Sequence, residues 1–349
     1  MTVPVLHPCD FIRPRLRAGR QERVVLYAAM RLRTAPPHLG VHVLQTCTFL
    51  LAKAVRERFG VEVLVRFTAL DDLACETREC PATGTLYERT VRDVLGTERA
   101  AERAAERAAE LLRTHYDALF TALSAATGVA YETGTYTEQQ ARPAFREELL
   151  ASLGLMDTLR WVLAPSTGSV PVRLPCPHCG WAQRHGEHTE LLSADARGAR
   201  FAAVCLDHGT YMVDVTRGND TFVGLTALHR SHVAERVAVR DSALPVIVEG
   251  ADRAMAGRLL DEAFRFRPGA VPPPRLLTPL VLTESGAKLS GTSAGEKEEA
   301  EETEETEEKG EKYPGMLINL VSRMLSSPQY FERGYTMGEV TRLAGVTVT

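Results

Sequence analysis

Arg23-Val-Val-Leu-Tyr-Ala-Ala-Met-Arg31 and the turn Thr34-Ala-Pro-Pro-His38 decide how this chain folds. The first is a short apolar run suited to a buried strand, and the second is a Pro-containing turn that ends it. Leu39 to Phe59 then carries the apolar spacing and length of a helix stopping at Gly60, and Val61 to Leu70 alternates like a second strand. A strand, turn, helix and strand in this order predict a parallel α/β sheet.

Working outward, residues 86 to 122 read as helical around the repeat AERAAERAAE, which is too brief for sustained heptads and so predicts a packed surface helix. A short strand is expected at Val129 to Thr133 and a helical segment from Glu138 to Leu163. Leu244 to Gly250 reads as another buried strand, followed by a helix from Ala251 to Phe266 and an extended Pro-rich stretch to Leu282. Two short helices fit Tyr313 to Gly345.

Composition narrows the class. With 349 residues and 44% hydrophobic content, the chain can bury a large core without disulfides. No apolar run reaches membrane-spanning length, and the first twenty residues lack a continuous apolar signal core, so a cytoplasmic protein is expected. Seven cysteines, an odd number, argue for thiols rather than a disulfide framework. The net charge of -4 is concentrated in residues 296 to 312, which hold ten Glu and three Lys; the rest is mildly basic. That acidic run has too little apolar surface to offset chain entropy and reads as a linker.

Residues 165 to 216 are rich in Cys, His and Gly. Cys176-Pro-His-Cys179-Gly and Cys205-Leu-Asp-His208-Gly are two similar knuckles, each pairing two ligand-type residues three positions apart before a Gly that permits a tight turn. Between them, His188 to Val204 can form a hairpin turning near Ala196 to Ala199. Two knuckles on a hairpin predict a zinc-ribbon-like module in which Cys176, Cys179, Cys205 and His208 hold a structural Zn2+. A competing set with His185 and His188 has weaker spacing, and Cys75 and Cys80 read as ordinary thiols.

Two further segments suggest a nucleotide. His38-Leu-Gly40 opens a helix at a strand's C-terminal end, where α/β folds bind ligands. Lys288-Leu-Ser-Gly-Thr292 can place an ammonium and hydroxyls around phosphates. Together they resemble the HIGH and KMSKS signatures of class I aminoacyl-tRNA synthetases. From about Val24 to Gly295 the chain resembles a truncated class I lysyl-tRNA synthetase. Ala69-Leu-Asp-Asp72, Tyr131 to Tyr136, the Cys module and Glu249-Gly-Ala-Asp252-Arg-Ala-Met-Ala-Gly257 follow that family's order.

The resemblance implies a Rossmann-like catalytic domain split around an inserted module. Residues 1–164 and 221–295 would form its halves, with the zinc-ribbon-like insertion at 165–220, the acidic linker at 296–312 and a helical end at 313–349. It implies an enzyme of the lysine–tRNA ligase type that adenylates an amino acid with ATP and Mg2+ and can pass it to tRNA or another acceptor. His38, Gly40, Gly250, Asp252, Lys288 and Ser290 would contact ATP, with His38, Lys288 and Ser290 catalytic. Asp71 and Asp72 would hold the cationic groups of lysine or an analogue, with Glu132 a fainter candidate. The sequence also departs from the pattern. Val41 stands where the signature has a polar residue, Arg253 replaces a His, and only 37 residues follow the acidic run. The alternative reading is a non-catalytic paralogue that binds tRNA or a protein partner in a regulatory role.

Overall fold

The computed structural model describes residues 7–19, 22–32, 36–72, 74–90, 93, 98–219, 221–267, 269, 271–289, 312–326 and 328–344. Helix α1 (Arg13–Gly19) leads into β1 (Arg23–Arg31), α2 (Leu39–Phe59) and β2 (Glu62–Leu70). A hairpin of β3 (Ala74–Glu79) and β4 (Leu86–Thr90) precedes α3 (Glu98–Leu112) and α4 (Ala118–Thr127). Next come β5 (Ala130–Thr135), α5 (Tyr136–Ala141), α6 (Pro143–Leu153) and α7 (Met156–Leu163). The Cys-rich stretch supplies β6 (Val172–Arg173), β7 (Ala182–Gln183), β8 (Glu190–Ala194), β9 (Gly198–Cys205), β10 (Gly209–Thr216) and β11 (Gly224–Leu225). It is followed by α8 (Ala227–Asp241), β12 (Leu244–Gly250), α9 (Ala254–Phe264), β13 (Arg275–Thr278) and β14 (Val281–Leu282). The last described elements are α10 (Lys312–Leu325), α11 (Pro328–Phe331), β15 (Tyr335–Thr336) and α12 (Met337–Ala344).

The centre is a five-stranded parallel sheet in the order β13-β12-β1-β2-β5. This is a Rossmann-like arrangement, and its strand order reverses between β1 and β12. Val24 pairs with Leu244 on one side and Val63 on the other. At such a switch point the connections leave in opposite directions, so a crevice opens past the strands' C-terminal ends. The sequence-expected strand, helix and strand at 23–70 are all present, and Gly60 ends α2 in the left-handed conformation with φ 66.

Two cores hold the layers. In one, Phe49 of α2, Phe67 of β2 and Phe120 of α4 cluster, with the Phe67 and Phe120 rings stacked at 4.4 Å. Leu317, Leu320, Val321 and Met324 of α10 are fully buried in the same core. The C-terminal segment is therefore part of the globule. The second core joins Phe145 and Leu149 of α6, Leu260 of α9, and Phe201 and Val215 of the Cys-rich strands.

Two expectations need correction. Residues 86–90 form β4, paired antiparallel with β3, and not the start of a helix: Leu86-Tyr-Glu-Arg-Thr90 buries Tyr87 against Gln183 of β7. The helix expected from Glu138 to Leu163 is three helices, broken at Pro143 and Gly154. Among the described residues, no helix is long and apolar enough to cross a membrane.

Candidate functional site

Past the C-terminal ends of β1, β2 and β12 lies a cavity of about 720 Å3. His38, Gly40, Gly250, Asp252 and Lys288, taken from three distant stretches of sequence, all line it. Pro36 and Pro37 hold the approach to α2 extended, and His38 takes the N-cap position (φ -70, ψ 159) without a side-chain cap bond. The first-turn amides of α2 thus lack a side-chain acceptor at the helix start, the positive end of its dipole.

On the opposite side of β1, β12 ends at Gly250 and turns through Ala251–Arg253. The Asp252 carboxylate folds back so closely that a Cβ on residue 250 would lie 2.6 Å from its Oδ1. A side chain at position 250 would therefore make the Asp252 carboxylate move. Lys288 follows a tight turn in which Thr283 N–H donates to the Ala287 carbonyl (2.8 Å) and Gly286 N–H to the Thr283 carbonyl (2.9 Å). Its ammonium donates to Asp252 Oδ2 at 2.5 Å. Ser290 lies outside the described residues.

His42, one position beyond Val41, turns away from the cavity. Its Nδ1 meets the Tyr313 hydroxyl of α10 at 2.6 Å, and burial, with His38 and His115 nearby, lowers its pKa to about 4. Val41 lines the cavity in its stead.

Asp71 and Asp72 are not among the lining residues. Asp71 Oδ1 accepts the Thr137 N–H at 3.0 Å and so caps the start of α5; burial raises its pKa against that hydrogen bond. Asp72 is buried and accepts from Arg230 (2.7 Å) and Arg173 (3.3 Å). Glu132 is paired on the surface with Arg66 at 2.7 Å. The sequence reading did not single out Arg230, which lines the cavity, or Glu235, which accepts both Arg275 terminal nitrogens at 2.6 and 2.8 Å. The available signal was the small-residue spacing Ala227, Ser231, Ala234 and Ala238, which marks a helix face left open for something to lie against.

The two Cys/His knuckles do meet. The ligand-type atoms of Cys176, Cys179, Cys205 and His208 all lie within 4.8 Å of one another. Cys176 Sγ is 3.7 Å from His208 Nδ1, Cys205 Sγ is 3.5 Å from that nitrogen, and Cys179 Sγ is 3.4 Å from Cys205 Sγ. A tetrahedral zinc with its usual bond lengths requires edges of roughly 3.5–3.8 Å. A disulfide would need about 2 Å between the sulfurs. The donor set therefore fits a zinc ion. Gly180 and Gly209, each following a knuckle, have φ 76 and 69, the turn that aims the ligand pairs inward. Burial pushes the Cys179 thiol up to about 12. At Cys205 burial acts in the same direction, but hydrogen bonds from backbone groups and His208 outweigh it and bring the thiol to about 7. Neighbouring thiolates repel, and a dication removes that penalty. His185 and His188 are not in the cluster.

No protein-family model and no curated protein matches the chain. Among solved structures it is similar to a tyrosyl-tRNA synthetase of Archaeoglobus fulgidus complexed with L-tyrosine: 14% identity, TM-score 0.39, covering 82% of this chain and 67% of that one. It is also similar to a tryptophanyl-tRNA synthetase of Aeropyrum pernix K1, with 15% identity, TM-score 0.40 and coverage of 96% and 78%. A putative arginyl-tRNA synthetase of Campylobacter jejuni gives 10% identity, TM-score 0.39 and coverage of 96% and 71%. At scores this low the likeness identifies no family, and the fold rests on the strand order of the sheet itself.

Proposed function

We propose that this protein activates an amino acid with ATP, joining the amino-acid carboxylate to the α-phosphate and releasing pyrophosphate. The observation that carries this reading is the convergence of His38 and Gly40, Gly250 and Asp252, and Lys288 on one cavity at the switch point of a parallel sheet. The class I synthetase resemblance of those segments supplies the reaction.

In this reading the start of α2 and His38 receive the phosphates, because first-turn amides without a side-chain cap and the helix dipole both favour anions there. Asp252, just past β12, suits ribose hydroxyls. Lys288 neutralises charge growing on the α-phosphate and departing pyrophosphate; the matching role of Ser290 rests on the sequence resemblance alone. The Lys288–Asp252 pair opens when nucleotide enters, since ribose and phosphates compete for its two halves. Mg2+ would arrive with ATP and offset phosphate charge. A zinc held by Cys176, Cys179, Cys205 and His208 would be structural, since four protein ligands leave no open position for chemistry. The lysyl type and a tRNA acceptor rest on the sequence resemblance alone.

ATP–pyrophosphate exchange across the amino acids tests the activity, and silence with every one of them ends the proposal. Lys288→Ala should reduce exchange roughly 10²–10³-fold, the scale set by removing one charge-stabilising group. Its thermal midpoint should barely move, because a half-exposed ion pair contributes little to stability. ATP binding without exchange would favour the non-catalytic alternative, to which Val41 and the closed Lys288–Asp252 contact lend support.

A further inference from the structure

The cavity has two sides. Asp252 lies just past β12 and Asp72 just past β2, with β1 between those strands, so the two ends stand about two strand spacings, roughly 10 Å, apart. The β12 side carries the nucleotide segments. Helix α8 packs on β12 and lines the cavity with its small-residue face, and Arg230 in its first turn lines the cavity and reaches across to Asp72, just past β2.

Arg230 is positioned from behind. Its guanidinium donates to Asp72 at 2.7 Å and lies 5.4 Å from the Tyr136 ring centre. Asp72 is also shared with Arg173, which pairs with Glu88 at 3.0 Å, and Arg184 pairs with Glu88 at 3.1 Å. With Asp71 beside Asp72, three carboxylates balance these three guanidiniums, and the positive charge presented to the cavity is that of Arg230. The start of α8 adds to it: Thr226 caps the helix with no side-chain bond, its buried Oγ1 has no partner, and Ala227 lines the cavity.

Every described carboxylate on the cavity wall has a cation beside it, although Arg275 is shared by Glu235, Glu249 and Asp261. Glu235 pairs with Arg275, Asp241 with Arg142 at 2.5 Å, Glu249 with Arg275 and Arg253, and Asp252 with Lys288. An ammonium entering the β2 side would meet the Arg230 guanidinium first, with the buried Asp72 behind it accepting from both Arg230 and Arg173 at Oδ2. A carboxylate would meet open guanidinium donors of fixed geometry.

We infer that the amino acid activated here bears a side-chain carboxylate, received by Arg230 with Asp72 as its positioning residue. The inference rests on the adenylation reading above. It also accounts for which carboxylate reacts. The side-chain group is held on the β2 side, while an α-carboxylate oxygen bonds to the α-phosphorus and the bond from that phosphorus to the pyrophosphate oxygen breaks.

Calorimetric titration with L-glutamate, L-aspartate, L-2-aminoadipate and L-lysine, in the presence of a non-hydrolysable ATP analogue, tests the site without requiring turnover. At least one acidic amino acid should bind and lysine should not. Arg230→Gln should weaken that binding at least tenfold and leave ATP affinity within twofold, with folding checked by thermal unfolding. In parallel exchange assays, the same substitution should raise KM for the amino acid far more than it lowers kcat. Binding of lysine or a neutral amino acid in preference to the acids overturns the inference while leaving activation to be judged by exchange. Binding of an acid with no exchange overturns activation, and with it the assignment of that acid as the activated substrate. If no amino acid binds while the ATP analogue does, the inference fails.

Discussion

The Cys/His cluster and the cavity are both built from residues far apart in space before folding, yet they are built in opposite ways. Each knuckle is complete within four residues, and the hairpin between β8 and β9, extended by β10, carries one knuckle to the other. The cavity has no local unit of this kind. Lys288 and Asp252 meet across 36 positions, and Asp72 finds Arg173 and Arg230 across 101 and 158. A metal module can be specified by spacing, whereas a cleft at a switch point is specified by the strand order of the whole sheet.

Removing the metal probes the local half most strongly. One equivalent of zinc per chain is expected on elemental analysis. Chelation or Cys176→Ser should release the ligands' share of folding energy, on the order of 10 kcal/mol for structural zinc units. Hydrogen exchange should then accelerate across β9 and β10 and spread to α6, which packs on β9, while β1 and β2 stay protected. A protein purified without zinc that keeps β9 and β10 protected would remove the metal from the account.

Asp72→Ala probes the non-local half. It leaves Arg173 and Arg230 without their shared buried acceptor, and breaking a buried pair in this way costs about 3–5 kcal/mol. A denaturant midpoint unchanged from wild type would mean that the network is solvated and holds nothing in place.

Acidification acts on the helices around the cavity and has the smallest effect per group. His42 on α2, and His229 and His232 on α8, are held neutral, chiefly by burial, at about 4, 4 and 3. Their folded values lie below the ordinary 6.5, so the unfolded chain binds more protons in between. Their contribution is therefore fully present above pH 6.5 and lost as pH falls through about 4. Linkage sets the loss at pH 5 at about 2 kcal/mol per histidine. Thermal midpoints measured from pH 7.5 to 5 should fall steadily, and a flat profile would show that these rings are hydrated in solution.

Much of the sheet was legible because period and punctuation agreed: β1, the Gly60 stop of α2 and β12 all sit where apolar runs and breakers put them. The misses have local causes. Leu86 to Thr90 sits beside a strongly helical repeat, and only its pairing with β3 and β7 shows that it is a strand. Pro143 and Gly154 interrupt an apolar pattern whose periodicity carries through them. At the site, the segments that line the cavity were visible as motifs, whereas the occupation of Asp71 and Asp72 was not. Which partner a carboxylate finds depends on which helix lands beside it, and no motif in the neighbouring sequence records that.

One feature of the C-terminal segment reaches further. Val281 and Leu282 pair with Tyr335 and Thr336, Gly338 N–H donates to Glu284 at 2.5 Å, and α10 is bedded against α2. The stretch ahead of the Lys288 turn is thus gripped by residues that come fifty positions later. Severing the backbone between 296 and 311 should leave the last helices seated and the protein working as a complementing pair of fragments.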